Sequence, residues 1–329
     1  MPRLPTLADV NAARLRLRGI ALHTPLEPSH ELTDATGAAE VRLKREEVQP
    51  TGAFKTRGAH NKVALVADAR PEAALVTASS GNHGIAVATA AVRHGMRLTV
   101  LVGRSVSPAK LERLRALETS RITVELAGND TDDAEAEARR RDDAGHAIYI
   151  PPYSDPDVIA GQATVGVEIL ADWPEVDTIV VPVGGGGLIA GIGLWAKAVK
   201  PALRLVGVQP SASPPMYAHL ETGSVDAMPI APTLADGVAG NIERHSITWR
   251  LCRQLVDEIV LVEEEEIADA MRWALEVPHI LLEGSAVLGI AALQAGRLAV
   301  AGRNVAVVTT GRNVSLEVLA RVLGRPAAK

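Results

Sequence analysis

The chain has 329 residues, of which 47% are hydrophobic and 22% charged, and its formal net charge at pH 7 is −5. This composition predicts a globular α/β protein large enough for two domains, and the acidic balance without a basic stripe excludes nucleic acid as a partner. The single cysteine, Cys252, excludes an intrachain disulfide and favours a reducing, cytoplasmic compartment, and residues 1–18 show no apolar run that would form a signal peptide or membrane segment.

The first part of the chain contains an unusual lysine, Lys55. Apolar residues at helical spacing predict a helix over residues 6–18, and residues 41–44 read as a short strand. A second helical pattern covers residues 57–67. The segment between the strand and this helix, residues 50–58, has the sequence Pro-Thr-Gly-Ala-Phe-Lys-Thr-Arg-Gly. Lys55 is therefore expected at a strand-to-helix junction.

Lys55 is one of only seven lysines in the chain, and it follows a glycine and Phe54 instead of lying on a charged helix face. A lysine flanked by small residues and an aromatic ring is partly desolvated, which lowers its pKa and frees the amine to form a Schiff base. The alternative is an ordinary lysine whose stem is buried and whose ammonium reaches water.

Residues 73–150 alternate short apolar strands with helices, as in a parallel, doubly wound unit. The predicted strands cover residues 74–77, 98–102, 122–126 and 147–150. The first strand ends in Ser-Ser-Gly-Asn-His-Gly at residues 79–84, and these polar groups would enter the crevice at the carboxyl ends of the strands. The alternative is that Ser79 or Ser80 caps the next helix. His83 alone is weak evidence for chemistry.

After a proline-rich crossing at residues 151–156, a second alternating series begins. An apolar strand over residues 178–183 precedes four successive glycines, residues 184–187, and an apolar helix over residues 188–199. Close-approaching backbone N–H groups at a helix N-terminus bind anions, which predicts a ligand that carries a phosphate.

The same glycines allow a rival interpretation. Gly185, Gly187 and Ala190 match the loose spacing of a dinucleotide fingerprint, which requires an acidic residue at the end of the next strand. That predicted strand, residues 203–208, is followed by Gln209. Dinucleotide binding therefore remains a distant alternative.

Further along, the sequence predicts a glycine-containing loop over residues 233–240 and a last strand over residues 304–309.

Together these motifs resemble one family. The Lys55 segment, the Ser-Ser-Gly-Asn-His-Gly segment, Gly-Gln-Ala-Thr at residues 161–164, the four glycines and Thr-Gly-Arg-Asn at residues 310–313 are similar to those of the threonine/serine dehydratase and serine racemase group of fold-type-II pyridoxal-phosphate enzymes. The resemblance implies an α/β architecture of two doubly wound domains with mainly parallel sheets. It implies a large domain from residues 1–72 and 151–329, a small mobile domain from residues 73–150, and a homodimer or homotetramer.

The resemblance also implies roles for particular residues. Lys55 would bind pyridoxal 5'-phosphate through a Schiff base and act as catalytic base, and Ser80 would be a second acid or base on the opposite face. The expected cofactor-binding residues are Phe54, Lys55, Asn82, Gly184, Gly185, Gly186, Gly187, Glu283 and Thr310. The expected substrate-binding residues are Ser79, Ser80, Asn82, His83, Asp236 and Arg312.

The activity implied by the resemblance is an ammonia-lyase (dehydratase) reaction on a small β-hydroxy amino acid such as threonine or serine. The alternatives on the same scaffold are a racemase, a β-replacement enzyme, or a dehydratase of a less common hydroxy amino acid, for example one from hydroxyectoine breakdown. Family members that bind a divalent cation use a glutamate and an aspartate at positions that here hold Gln209 and Pro215. We therefore expect no metal site.

Overall fold

The structure, a computed structural model, describes residues 3–324. Residues 1, 2 and 325–329, at the two ends of the predicted large domain, lie outside the described residues. The strands are β1 (Leu26–Pro28), β2 (Glu40–Arg45), β3 (Ala74–Ala78), β4 (Arg97–Val102), β5 (Ile122–Leu126), β6 (Ile148–Tyr149), β7 (Thr178–Pro182), β8 (Arg204–Pro210), β9 (Glu258–Val262) and β10 (Asn304–Thr309).

Helices alternate with these strands along most of the chain. The α-helices are α1 (Leu7–Arg16), α2 (His30–Thr36), α3 (Lys55–Ala69), α4 (Asn82–Arg93), α5 (Pro108–Arg115), α6 (Thr131–Asp143), α7 (Pro156–Asp172), α8 (Gly187–Val199), α9 (Pro215–Thr222), α10 (Ile247–Leu255), α11 (Glu264–Glu276), α12 (Leu288–Gln294) and α13 (Leu316–Leu323). Short 3-10 turns cover Glu46–Val48, Asp236–Val238 and Gly284–Val287.

The strands form two sheets. The larger sheet has the order β1-β2-β10-β7-β8-β9, and only β1 pairs antiparallel to its neighbour. The smaller sheet has the order β5-β4-β3-β6 and is entirely parallel. All five residues of β7 are buried, as expected for a parallel strand that helices cover on both faces. The predicted α/β fold with two mainly parallel sheets is confirmed.

The small sheet contains all four strands between residues 73 and 150. Its apolar core lies between β3, β4 and α4 and includes Ala59, Val63 and Val66 of α3. Two other apolar clusters surround the larger sheet. We propose that residues 73–150 form a separate small domain, and that residues 3–72 and 151–324 belong to the large one. The mobility of the small domain stays a prediction.

Helix α3 begins at Lys55 and packs closely on α7 of the large domain. A Cβ at Gly161 in α7 would lie 2.7 Å from both the Arg57 carbonyl oxygen and the Gly58 Cα, so the two helix backbones touch at this point. Gln162 also accepts a hydrogen bond from the Gly58 N–H at 3.2 Å. This glycine contact fixes the start of α3, and therefore Lys55, against the large domain.

Within residues 3–324, no helix combines the length and the apolar character needed to cross a bilayer.

Candidate active site

The lysine turn is joined to the end of β10 by backbone hydrogen bonds. The Phe54 N–H donates to the Thr310 carbonyl at 3.1 Å, and the Arg312 N–H donates to the Gly52 carbonyl at 2.9 Å. Ala53 and Gly311 form an isolated antiparallel bridge. Gly52 has φ +77°, in the left-handed region that side chains rarely adopt, so a glycine is needed for this turn. The turn therefore holds Phe54 and Lys55 beside Thr310.

Lys55 is half-buried at the first position of α3. Its Nζ donates to the Pro152 carbonyl at 2.7 Å and lies 5.2 Å from the centre of the Phe54 ring. Burial lowers the pKa of Lys55 to about 8, and the nearby Glu283 charge offsets part of this effect. An amine with this pKa is substantially neutral just above physiological pH, the form in which lysine acts as a nucleophile or base.

The four glycines lie between β7 and the N-terminus of α8. Gly186 has φ +82°, and no side chain caps α8, so its first N–H groups remain available to a ligand. Added Cβ atoms would clash with neighbouring residues: at Gly184 with Val238 and at Gly185 with Tyr153. The Thr248 hydroxyl donates to the Gly185 carbonyl at 2.6 Å and fixes the loop.

This glycine loop lies close to Lys55. Tyr153 covers Gly185, and the neighbouring residue Pro152 is the hydrogen-bond acceptor of Lys55. The segment after β6 therefore contacts both the glycine loop and the lysine amine.

The Ser-Ser-Gly-Asn-His-Gly segment joins β3 to α4, as predicted. Gly81, not Ser79 or Ser80, is the N-cap of α4, and no side-chain hydrogen bond caps the helix. The alternative interpretation of Ser79 or Ser80 as the helix cap is therefore wrong. The Ser79 hydroxyl instead accepts from the Gly81 N–H at 3.3 Å, within the turn that precedes α4. The Ser80 hydroxyl is left without a hydrogen bond to another described residue.

His83, a predicted substrate-binding residue, is buried. Its Nε2 lies 3.0 Å from the Ile150 carbonyl oxygen, while Nδ1 has no hydrogen-bond partner among the described residues. Burial, together with the nearby Lys55 charge, lowers the pKa of His83 to about 3. The imidazole is therefore neutral. It links α4 to the segment after β6, whose Pro152 carbonyl accepts the hydrogen bond from Lys55.

Asn82 belongs to a closed set of hydrogen bonds that joins the two domains. Its Nδ2 donates to Glu283 Oε1 at 2.8 Å, and its Oδ1 accepts from Asn313 Nδ2 at 2.6 Å. The Asn313 N–H donates to Glu283 Oε2 at 3.1 Å. Glu283 is thus placed among the predicted cofactor-binding residues, and Asn313, which sequence reasoning did not single out, completes the set.

Burial raises the pKa of Glu283 from 4.5 to about 7, and the Asp236 charge adds to this effect. Between these values the folded state binds more protons than the unfolded state, so the contribution of Glu283 to stability falls as the pH rises through this window. In the cofactor-free protein, Glu283 should lower the free energy of unfolding by on the order of 1–3 kcal/mol as the pH rises from 4.5 to 7. We expect this fall to be absent in Glu283→Gln. Urea unfolding across this pH range measures the difference, and parallel curves of stability against pH for parent and variant would contradict it.

Asp236, a predicted substrate-binding residue, lies at the rim between the domains. Its Oδ2 accepts from Lys110 Nζ of α5 at 2.6 Å, and both side chains are more than two-fifths exposed. Arg113, one turn further along α5, donates to Asn313 Oδ1 at 2.5 Å. Helix α5 therefore contacts the large domain through two cations, which sequence reasoning missed because neither lies in a motif.

The side chain of Arg312, a predicted substrate-binding residue, is exposed. Its neighbour Gly311 packs against Glu283, and Asn313 bonds to Glu283 and Asn82. Substrate binding by Arg312 stays a prediction.

The residues gathered here fit a phosphorylated aromatic aldehyde. The uncapped glycine loop offers N–H donors to a phosphate, and the Lys55 amine can bond covalently to an aldehyde carbon. Thr310 is buried beside Phe54, and its hydroxyl has no hydrogen bond to another described residue. The site therefore defines a class of enzyme that binds an aldehyde cofactor through lysine and phosphate.

Comparison with known proteins agrees with this class. Residues 18–311 match the family described as "Pyridoxal-phosphate dependent enzyme". The chain belongs to this family, and pyridoxal phosphate is its cofactor.

Individual relatives narrow the range of activities within this family. The chain is 39% identical to an L-threonine ammonia-lyase of Thermotoga maritima over 98% of this chain and 79% of that protein. It is 34% identical to the catabolic L-threonine dehydratase TdcB of Escherichia coli over 96% of this chain and 95% of that protein. A maize serine racemase structure superimposes with a TM-score of 0.89 at 29% identity, covering 98% of this chain and 97% of the other.

Proposed function

We propose that this protein is a pyridoxal-phosphate-dependent ammonia-lyase that converts a small β-hydroxy amino acid to a 2-oxo acid and ammonia. The observation that carries the proposal is the position of Lys55, a lysine with a lowered pKa held next to the glycine loop and near Glu283. The L-threonine ammonia-lyase and dehydratase relatives support this reaction.

When bound, the cofactor supplies an electron sink for the electrons released as a bond to Cα breaks. The chain's own residues would do the rest. The N–H groups of the glycine loop would bind the phosphate, Phe54 would pack on the ring, Asn82 would donate to the ring hydroxyl, and the Thr310 hydroxyl would bond to the ring nitrogen. Together these contacts would orient the cofactor relative to Lys55.

Lys55 would remove the Cα proton, because a pKa lowered to about 8 leaves an appreciable fraction of its amine neutral near physiological pH. Ser79, Ser80 and the N-terminus of α4 would hold the substrate carboxylate, and Ser80 would serve as the acid that protonates the departing β-hydroxyl or Cα from the other face. The hydroxyl leaves as water. Hydrolysis of the released enamine then consumes one water and gives the 2-oxo acid and ammonia.

The test is to incubate the purified holoenzyme with L-serine and L-threonine and to quantify ammonia, 2-oxo acid and remaining enantiomers together. The proposal expects ammonia and 2-oxo acid in equal amounts. Formation of the D-amino acid without ammonia would instead establish the second candidate, a racemase. That candidate is supported by the serine racemase structure and by Ser80, since a racemase needs a proton donor on the face opposite the lysine.

We further propose that the chain acts as a homodimer or homotetramer in the cytoplasm, the compartment that the single cysteine, Cys252, favours. Sedimentation of the holoenzyme tests the assembly. A monomer at assay concentration would contradict it.

Metal removal should leave activity unchanged. Gln209 is buried and accepts from the Tyr217 N–H at 2.8 Å, and Pro215 begins α9, so neither position offers a carboxylate to a hard cation. In the part of the chain that the structure describes, no group of three or more His, Cys, Asp or Glu residues is placed to hold a metal. The measurement is activity before and after EDTA, with magnesium added back. A large loss that magnesium restores would refute the expectation.

A further inference from the structure

A hydrogen bond from α10 holds the back of the glycine loop. Thr248 of this helix is buried, and its Oγ1 lies 2.6 Å from the Gly185 carbonyl oxygen. A carbonyl oxygen carries no proton, so the Thr248 hydroxyl is the donor. The Ser246 hydroxyl contacts the Thr248 hydroxyl and accepts from the Thr248 N–H at 3.2 Å. Because the single hydroxyl proton of Thr248 is directed to Gly185, the Ser246 hydroxyl donates to Thr248.

This hydrogen bond sets the orientation of the peptide between Gly185 and Gly186. The peptide is trans, and in a planar trans peptide the C=O and the N–H point in opposite directions. Since the Gly185 carbonyl is directed to α10, the Gly186 N–H points away from α10. Gly186 is buried, and its N–H donates to no described residue. A buried backbone N–H without an acceptor is rare, so this N–H indicates a ligand acceptor on the other side of the loop.

The two glycines leave this peptide free to turn over unless a contact prevents it. Glycine adopts positive and negative φ about equally well, and Gly186 has φ +82°. A reversed peptide would present the Gly185 carbonyl oxygen, with its partial negative charge, where the Gly186 N–H now points. It would also leave the buried Thr248 hydroxyl without its acceptor, which is unfavourable. The Thr248 hydrogen bond therefore favours the orientation that suits an anion.

Resting on the proposed binding of the cofactor phosphate by the glycine loop, we propose that Thr248 is a positioning residue for that phosphate. Its hydroxyl holds the Gly185–Gly186 peptide in the orientation that presents the Gly186 N–H to the phosphate. By polarising the peptide through its carbonyl, the same hydrogen bond makes this N–H a stronger donor. Thr248 acts only through the loop, because Gly185 uses its hydroxyl proton.

Two variants that differ by one oxygen atom test this role. Thr248→Ser keeps the hydroxyl and Thr248→Ala removes it, while both lose the methyl group. The cofactor-free full chain is titrated with pyridoxal 5'-phosphate and with pyridoxal, which lacks the phosphate, and the visible absorbance of the lysine-bound aldehyde gives both affinities. We expect Thr248→Ala to bind pyridoxal 5'-phosphate roughly tenfold or more weakly than Thr248→Ser, and to bind pyridoxal equally well. The hemiacetal that pyridoxal forms in solution is the same for both variants and cancels in this comparison.

Thr222→Ala is the matched control. Thr222 is exposed on α9, and its hydroxyl likewise donates to a backbone carbonyl, that of Ala218 at 2.8 Å. This change should leave both affinities at the parent values. If Thr248→Ala fails to fold, Thr248→Val, which lacks the hydroxyl but keeps the shape of the side chain, should show the same selective loss relative to Thr248→Ser.

The outcomes separate this inference from the proposals on which it rests. Equal affinities of Thr248→Ala and Thr248→Ser for pyridoxal 5'-phosphate, or a loss that is as large for pyridoxal, would overturn the role of Thr248 and leave phosphate binding by the loop standing. A parent chain that binds pyridoxal as tightly as pyridoxal 5'-phosphate would overturn both. The titration involves no turnover, so a failure of the lyase proposal would leave its result unaffected.

Discussion

Lys55→Ala is expected to abolish turnover and to remove the visible absorbance of the lysine-bound cofactor. Lys55 would both hold the cofactor covalently and move the Cα proton, and loss of a proton-transfer group alone costs about 10²- to 10⁴-fold in rate. The fold should persist, because Lys55 is half-buried and its amine makes one hydrogen bond, to the Pro152 carbonyl. Absorbance spectra, circular dichroism and 2-oxo acid release measure the three effects.

Lys62→Ala is the matched control for this change. Lys62 lies seven residues further along α3 and forms ion pairs with Asp155 and Asp157. Its removal should leave the visible band in place and most of the activity. If Lys55→Ala retained the band and the turnover, the lysine assignment would be wrong.

The second large effect is expected in stability, at Arg57. This guanidinium is 1% exposed and donates to both Glu46 oxygens at 2.8 and 2.7 Å and to both Glu168 oxygens at 2.6 and 2.8 Å. Lys44, also buried, donates to Glu168 at 2.6 Å. Arg57→Met would leave the fully buried Glu46 without a cation, and breaking a buried ion pair in this way costs about 3–5 kcal/mol.

Denaturant unfolding of the parent and Arg57→Met measures this effect. Arg140→Met is the control, because Arg140 pairs with Glu137 on the exposed face of α6 and such pairs contribute little. A midpoint for Arg57→Met as high as that of the control would show that the buried network does not stabilise the fold. Since Arg57 lies two residues after Lys55, the variant should also bind the cofactor more weakly.

Sequence patterns predicted the parts of the site that depend on local structure. A glycine turn before a helix placed Lys55 at a strand-to-helix junction, and four glycines after an apolar strand predicted the loop at the start of α8. Both inferences depend only on the backbone conformations that are available to short segments. Apolar runs likewise predicted the parallel strands of both sheets except β9 (Glu258–Val262).

Contacts between distant residues could not be predicted in this way. Asn82 is 201 residues from Glu283 and 231 from Asn313, so only the docking of the small domain on the large one brings the three together. The Lys110–Asp236 pair has the same origin. Arg312 lies in the same motif as Asn313, but its side chain is exposed, so its predicted contact with the substrate stays a prediction.

The most direct test of the account is borohydride reduction of the holoenzyme followed by peptide mass mapping. Reduction fixes the cofactor to whichever lysine holds it, and the chain has seven lysines. We expect the reduced pyridoxyl phosphate on Lys55, with loss of the label when serine or threonine is added in excess before reduction. A label on any other lysine, or no label on a holoenzyme that releases 2-oxo acid, would contradict the account.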